Sequence, residues 1–174
     1  DEIYYCLVYD NKEFTSMASL GPEVKQHTIV VNGVSKAYAM TGWRIGYAAA
    51  NPEIAGVMAN LLSHSASAPS TISQVAATEA LKGPQDTVEA MRKVFEERRN
   101  YIVERMNQID GVSCIKPDGA FYIMMNIKKL FGRKIGGRLI NNADDFAYAF
   151  LDKARVAVVP CTAFGTSSFV RWTY

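Results

Sequence analysis

The sequence predicts an α/β chain in two parts, a strand-and-helix region followed by a smaller α+β unit. Three observations carry this. Short apolar runs at 28–31 and 45–50 flank a turn, apolar residues recur at helical spacing over 85–109, and short strand patterns surround one further helix in the remainder. The 174 residues can bury a real core, and a 49% hydrophobic content is ordinary for a folded globular chain.

The elements follow in order. Residues 3–9, rich in Tyr, Val and Leu, read as a strand. Residues 28–31 read as a buried strand, Asn32-Gly33 as turn chemistry, and Ser35-Lys36 as the strand end where the chain changes direction. The run 45–50 supplies a neighbouring strand. Helices are expected at 52–63 and 71–81, separated by SASAPS at 65–70, with Gly83-Pro84 as a stop and restart. Over 85–109, Val88, Met91, Val94, Phe95, Ile102, Met106 and Ile109 form an apolar stripe, with Glu89, Arg92, Glu96 and Arg99 filling the remainder. One helix of that length would run about 37 Å. Beyond it, 112–115 and 120–126 read as a hairpin around Pro117-Asp118-Gly119. Residues 143–154 read as a helix capped by Asn142, with Asp144 and Asp145 at its positive end. The runs 156–159 and 168–174 complete a small sheet. The expected division is 1–86 and 87–174, the second part opening with the long connecting helix.

Composition excludes several classes. With 19 basic and 17 acidic residues there is no electrostatic case for nucleic acid. Lys128, Lys129, Arg133, Lys134 and Arg138 cluster locally, but interleaved glycines and the lack of stacking motifs make this a solvated loop. Cys6, Cys114 and Cys161 are odd in number, widely spaced and outside any CxxC, which argues against a zinc site and a disulfide framework and for a reducing, cytoplasmic setting. His27 and His64 are isolated, so no metal is expected. No run of 18 apolar residues is present, so no membrane partner is expected.

The most informative passage is 30–47, VVNGVSKAYAMTGWRIGY. A lysine attacks a carbonyl only when unprotonated, and low-dielectric surroundings or a nearby cation favour that form. The alanines, Met40 and Trp43 would surround Lys36 in this way. Arg44, eight residues on, offers a planar fork of donors suited to phosphate. Two adjacent strands joined by a short segment would bring both cations towards one anionic ligand. Read alone, Lys36 would be a surface lysine, Asp1 a terminus, Tyr4 a strand aromatic, Arg171 an outward strand position and Phe121 a core aromatic.

This passage resembles the pyridoxal-phosphate lysine region of class I and II aminotransferases, the fold type I enzymes, especially their aspartate aminotransferase branch. DEIYY at the start, PDGAFY at 117–122, VAVVPCTAFG at 156–165 and VRWTY at the end extend the resemblance along the whole chain. It implies part of a fold type I large domain plus a small α+β domain, and a homodimer in the full-length protein. By the same resemblance, Lys36 condenses with the cofactor aldehyde and shuttles the substrate α-proton. Asp1 pairs with the pyridine nitrogen, Tyr4 donates to the phenolic oxygen, and Arg44 binds the phosphate with help from Ser35. Many relatives have a serine where this chain has Gly33. Arg171 grips the α-carboxylate and Phe121 covers the substrate. Tyr5, Cys6 and Trp172 depart from the family pattern without removing a group that the chemistry needs.

The resemblance implies transfer of an amino group between an amino acid, aspartate-like by preference, and a 2-oxo acid. Alternatives are a β-lyase of the same fold or a cofactor-sensing domain of a transcription regulator. Because the sequence opens and stops inside expected strands, the chain is expected to be the C-terminal half of such an enzyme, inactive alone.

Overall fold

A computed structural model describes residues 1–174. The chain divides into two compact units, Asp1–Arg92 and Lys93–Tyr174.

In the first unit the opening segment is not the strand that its composition suggests. Tyr5 N–H donates to Glu2 O and Leu7 N–H to Tyr4 O, at 3.0 and 2.8 Å, which makes consecutive turns. Leu7 and Tyr9 are nonetheless fully buried, so the β-forming side chains serve burial rather than a ladder. The short helix α1, Pro22–Gln26, precedes the first sheet.

That sheet is an antiparallel pair, β1 (Val30–Gly33) and β2 (Gly46–Ala49), in the register Val30↔Ala49 to Gly33↔Gly46. Two expectations are corrected here. Asn32-Gly33 is strand, not turn, because the Asn32 side chain turns back to accept from Gly33 N–H at 2.7 Å and both residues are buried. The buried end of β1 is therefore its polar end, whereas Val31 and all of β2 are exposed. Gly33 is required by proximity: a Cβ there would meet Ile45 O at 3.1 Å and the Gly46 Cα at 3.2 Å.

Helices α2 (Pro52–Ser65) and α3 (Thr71–Lys82) follow as expected. Proline at N1 and Asn51, whose Oδ1 accepts from Ile54 N–H at 3.0 Å, start α2. α4, Asp86–Asn107, is two residues shorter at its C-terminus than its hydrophobic period, so Ile109 falls outside it and is exposed. On α4 the residues Val88, Arg99 and Met106 are buried while Val94 is exposed. Arg99 is thus not a filler on the polar face, a further correction.

The second unit is a helix packed on an antiparallel sheet. Its strands are β3 (Ser113–Cys114), β4 (Tyr122–Asn126), β7 (Val159–Pro160) and β8 (Phe169–Thr173), in the order β3-β4-β8-β7. The expected strand at 156–159 is reduced to its end, Val159–Pro160. β5 (Lys134–Ile135) and β6 (Arg138–Leu139) form a separate hairpin where a solvated loop was expected, because Gly136 and Gly137 take the positive φ that a tight turn demands. α5, Ala143–Ala154, is capped as read: Asn142 Oδ1 accepts from Asp145 N–H at 2.9 Å. Its Phe146 and Ala149 pack with Met106, Ile123, Met125, Ile127, Ile140 and Val170 in one core.

Candidate active site

In the first unit, the β1–β2 pair closes a connection of residues 34–45 that carries Ser35, Lys36 and Arg44. The turn after β1 is held by Tyr38 N–H to Val34 O and Ala39 N–H to Lys36 O, at 3.2 and 3.3 Å. Val34 and Ala37 are buried on either side, so Ser35 and Lys36 are left half-buried. Arg44 is exposed, stands in the left-handed region at φ 50° and ψ 50°, and donates through Nη1 to Thr41 O at 2.9 Å. A non-glycine residue in that region is uncommon, and Ala39 at φ 53° lies in the same connection. The backbone is bent to fit this loop, and one arm of the Arg44 fork is tied to the bend.

The opening turns reach the same strand. Glu2 N–H donates to Val31 O at 2.8 Å, which lays the segment bearing Asp1 and Tyr4 beside β1. The exposed Asp1 carboxylate accepts from Ile3 N–H at 3.0 Å, and Tyr4 is half-buried. Five of the residues singled out from the sequence therefore sit on segments attached to one strand.

Sequence reasoning did not identify the polar group beside this turn. The Tyr38 hydroxyl donates to Gln85 Oε1 at 2.9 Å, and Gln85 Nε2 donates to Gly83 O and Ala80 O, at 2.7 and 3.1 Å. The lysine turn is thereby pinned to the α3–α4 junction. Burial, with hydrogen bonds from Cys6 and Tyr38, pushes the Tyr5 phenol well above its ordinary range, and burial likewise raises the Cys6 thiol.

In the second unit Arg171 lies in β8 opposite Met124 of β4 and Val159 of β7. Its Cζ sits 4.5 Å from the Tyr122 ring centroid and 5.4 Å from that of Phe164. Its Nε is buried with no hydrogen-bond partner. Tyr122 was legible, since two residues from Met124 on β4 it shares the face of Arg171 as a diagonal cross-strand neighbour. Phe164 was not, because its place depends on a loop. Phe121 stacks on Phe95 at 5.3 Å and tilts against Tyr122 at 4.8 Å, in an aromatic cluster. Trp172 packs edge-on against Phe150, with its indole nitrogen buried and unpartnered.

The family model described as aminotransferase class I and II matches residues 1–174. The chain belongs to that family. It is 48% identical to the aspartate aminotransferase of Bacillus sp. (strain YM-2) and 44% identical to that of Bacillus subtilis (strain 168), each match covering 100% of this chain and 43% of the relative. Among solved structures, the aspartate aminotransferase from Rhizobium meliloti matches with a TM-score of 0.93 at 45% identity, over 100% of this chain and 44% of that one. The aromatic aminotransferase from Pyrococcus horikoshii OT3 matches with a TM-score of 0.87 at 39% identity, over 100% and 45%. The α/β class expected from the sequence agrees with these structures. The chain spans less than half the length of the relatives it matches, and the expectation of a C-terminal half is corrected to that share. No helix is long and apolar enough to cross a membrane.

Proposed function

We propose that the protein carrying this chain is a pyridoxal 5′-phosphate-dependent aminotransferase. It moves an amino group between an amino acid, aspartate-like by preference, and a 2-oxo acid. The observation that carries this reading is the placement of Lys36 and Arg44 on one connection closed by the Gly33–Gly46 pair, within a chain whose whole length matches the family.

The donor set suits the cofactor. An amine, a guanidinium, a carboxylate and a phenol all stand on segments attached to β1, and these are the groups that an aldehyde, a phosphate dianion, a pyridine nitrogen and a phenolate oxygen call for. Bound there, pyridoxal phosphate would supply an acceptor for the electron pair released when an amino acid loses its α-proton. Lys36 holds the cofactor and carries that proton on Nζ. Arg44 binds the phosphate with Ser35 as a second donor. Asp1 keeps the ring nitrogen protonated, and Tyr4 donates to the phenolic oxygen. Arg171 binds the α-carboxylate common to all substrates, its buried Nε being a donor that an incoming carboxylate would satisfy. Phe121 covers the substrate.

Residues 1–86 then belong to the cofactor domain and 87–174 to the connecting helix and small domain. The working form is a homodimer in a reducing cytoplasm. The test is borohydride reduction of the cofactor-loaded protein followed by peptide mapping. The pyridoxyl group is expected on Lys36, and recovery of the label on any other lysine overturns the assignment.

A further inference from the structure

Arg171 is flanked by aromatic rings, and only one of them is there for packing. Tyr122 opens β4 and packs against Phe121. Phe164 is 62% exposed, so burial alone does not explain its position over the guanidinium. It is placed by its loop. Phe164 N–H donates to Cys161 O at 2.9 Å, Thr166 N–H donates to the same oxygen at 3.2 Å, and Gly165 closes the turn at φ 85°. Cys161 itself is fully buried and its N–H donates to Phe169 O at 3.0 Å, which fastens the loop to β8 two residues before Arg171. Thr162 Oγ1 donates to Asp144 Oδ2 at the start of α5 and ties down the other side. An exposed ring held this firmly against a cation is a built feature.

We propose that Tyr122 and Phe164 form an aromatic sleeve around Arg171 that selects flat carboxylates against three-oxygen anions of the same charge. The inference rests on the reading of Arg171 as the carboxylate site. A carboxylate meets the guanidinium edge with two oxygens in one plane. The third oxygen of a sulfonate projects out of that plane towards an aromatic face, where it loses hydration and meets the negative side of the ring quadrupole. The rings also strengthen the cation's hold by excluding water from it. Selectivity therefore comes from a repulsive element as much as from an attractive one.

Propionate and ethanesulfonate carry one charge each and differ in the anion head, so their dissociation constants measured by calorimetry on the cofactor-loaded protein, without turnover, read the sleeve directly. The unaltered protein is expected to favour propionate by ~10-fold, the scale of a modest shape mismatch in a binding pocket. Phe164→Ala is expected to shrink that preference about fivefold, chiefly through tighter ethanesulfonate binding, and Phe164→Tyr to keep it. An unchanged preference in Phe164→Ala, with Arg171→Ala abolishing the binding of both anions, overturns the sleeve and leaves the carboxylate site standing. Binding of both anions that survives Arg171→Ala overturns the carboxylate reading and the sleeve together.

Discussion

Arg99 shows how a single side chain can be misplaced by its chemistry and well placed by its spacing. It lies four residues after Phe95, three before Ile102 and seven before Met106, on the inner stripe of α4, and it is wholly buried. The guanidinium is accommodated because Nη1 donates to Pro117 O at 2.9 Å and Nε to Asn100 Oδ1 at 3.2 Å, with Glu96 3.5 Å from Nη2. It thereby pins the Pro117-Asp118-Gly119 turn to the helix. Arg99→Ala would strand the Pro117 carbonyl and leave a cavity, and a loss of ~3 kcal/mol is expected. Urea denaturation of the variant measures this, and a change below about 1 kcal/mol would mean that the turn holds without the arginine.

At the scale of elements, the β1–β2 pair is the one on which the lysine and phosphate assignments depend. Gly33→Ala brings a methyl group within close range of two backbone atoms that cannot step aside, Ile45 O and the Gly46 Cα. A loss of ~1–2 kcal/mol is expected, with a lowered melting temperature and weaker cofactor uptake measured by titration. Unaltered stability and uptake would show that the pair opens without cost. The fold's helices were legible in the sequence because caps and breakers are local: Asn51-Pro52, Gly83-Pro84 and Asn142 act within a turn of their own position. Strands were less legible. The apolar alternation at 3–9 is satisfied by turns that bury Leu7 and Tyr9, and the buried end of β1 is polar because the Asn32 side chain accepts from Gly33 N–H. The first outcome depends on distant packing, and the second on a bond between adjacent residues whose Asn-Gly pairing reads as turn chemistry. In the candidate site, spacing placed Lys36 and Arg44 on one connection between two strands, as found, whereas Phe164 depends on a loop fastened from α5 and β8, which no local pattern announces.

At the scale of the whole molecule, polar burial and apolar exposure both have measurable consequences. Cys6, Cys114 and Cys161 are free thiols whose titration burial pushes above the ordinary 9.0, and Tyr5 and Tyr47 are raised in the same sense. The folded state thus resists ionisation that the unfolded chain permits. Stability is fully present below the unfolded values and is lost as pH rises through them towards the folded ones. The urea midpoint should stay level from neutral pH to about 9 and fall beyond it, and a midpoint that rises above pH 9 would contradict the sign. On the other side of the balance, α2 has no buried residue, and Val57, Leu61, Ile72 and Val75 are 64%, 69%, 79% and 66% exposed. Large apolar side chains left open in this way favour association when they lie together. The 174-residue chain on its own is expected to bind anilinonaphthalene sulfonate and to self-associate in light scattering. A monodisperse, dye-silent monomer would show that these side chains are tolerated in water.

The closed Gly33–Gly46 pairing has one more implication, for how the proposed machinery can vary. The proposed covalent tether and phosphate anchor share the single connection that this pair closes, so flexing of the pair carries both ends of it along together. A slip of one rung would shift the two ends of that connection against each other and disturb both cations at once. Length changes between positions 34 and 45 should accordingly be far less forgiving than changes of residue type, and a substitution that spares both tips yet loosens the rungs would disarm attachment and anchorage in a single stroke.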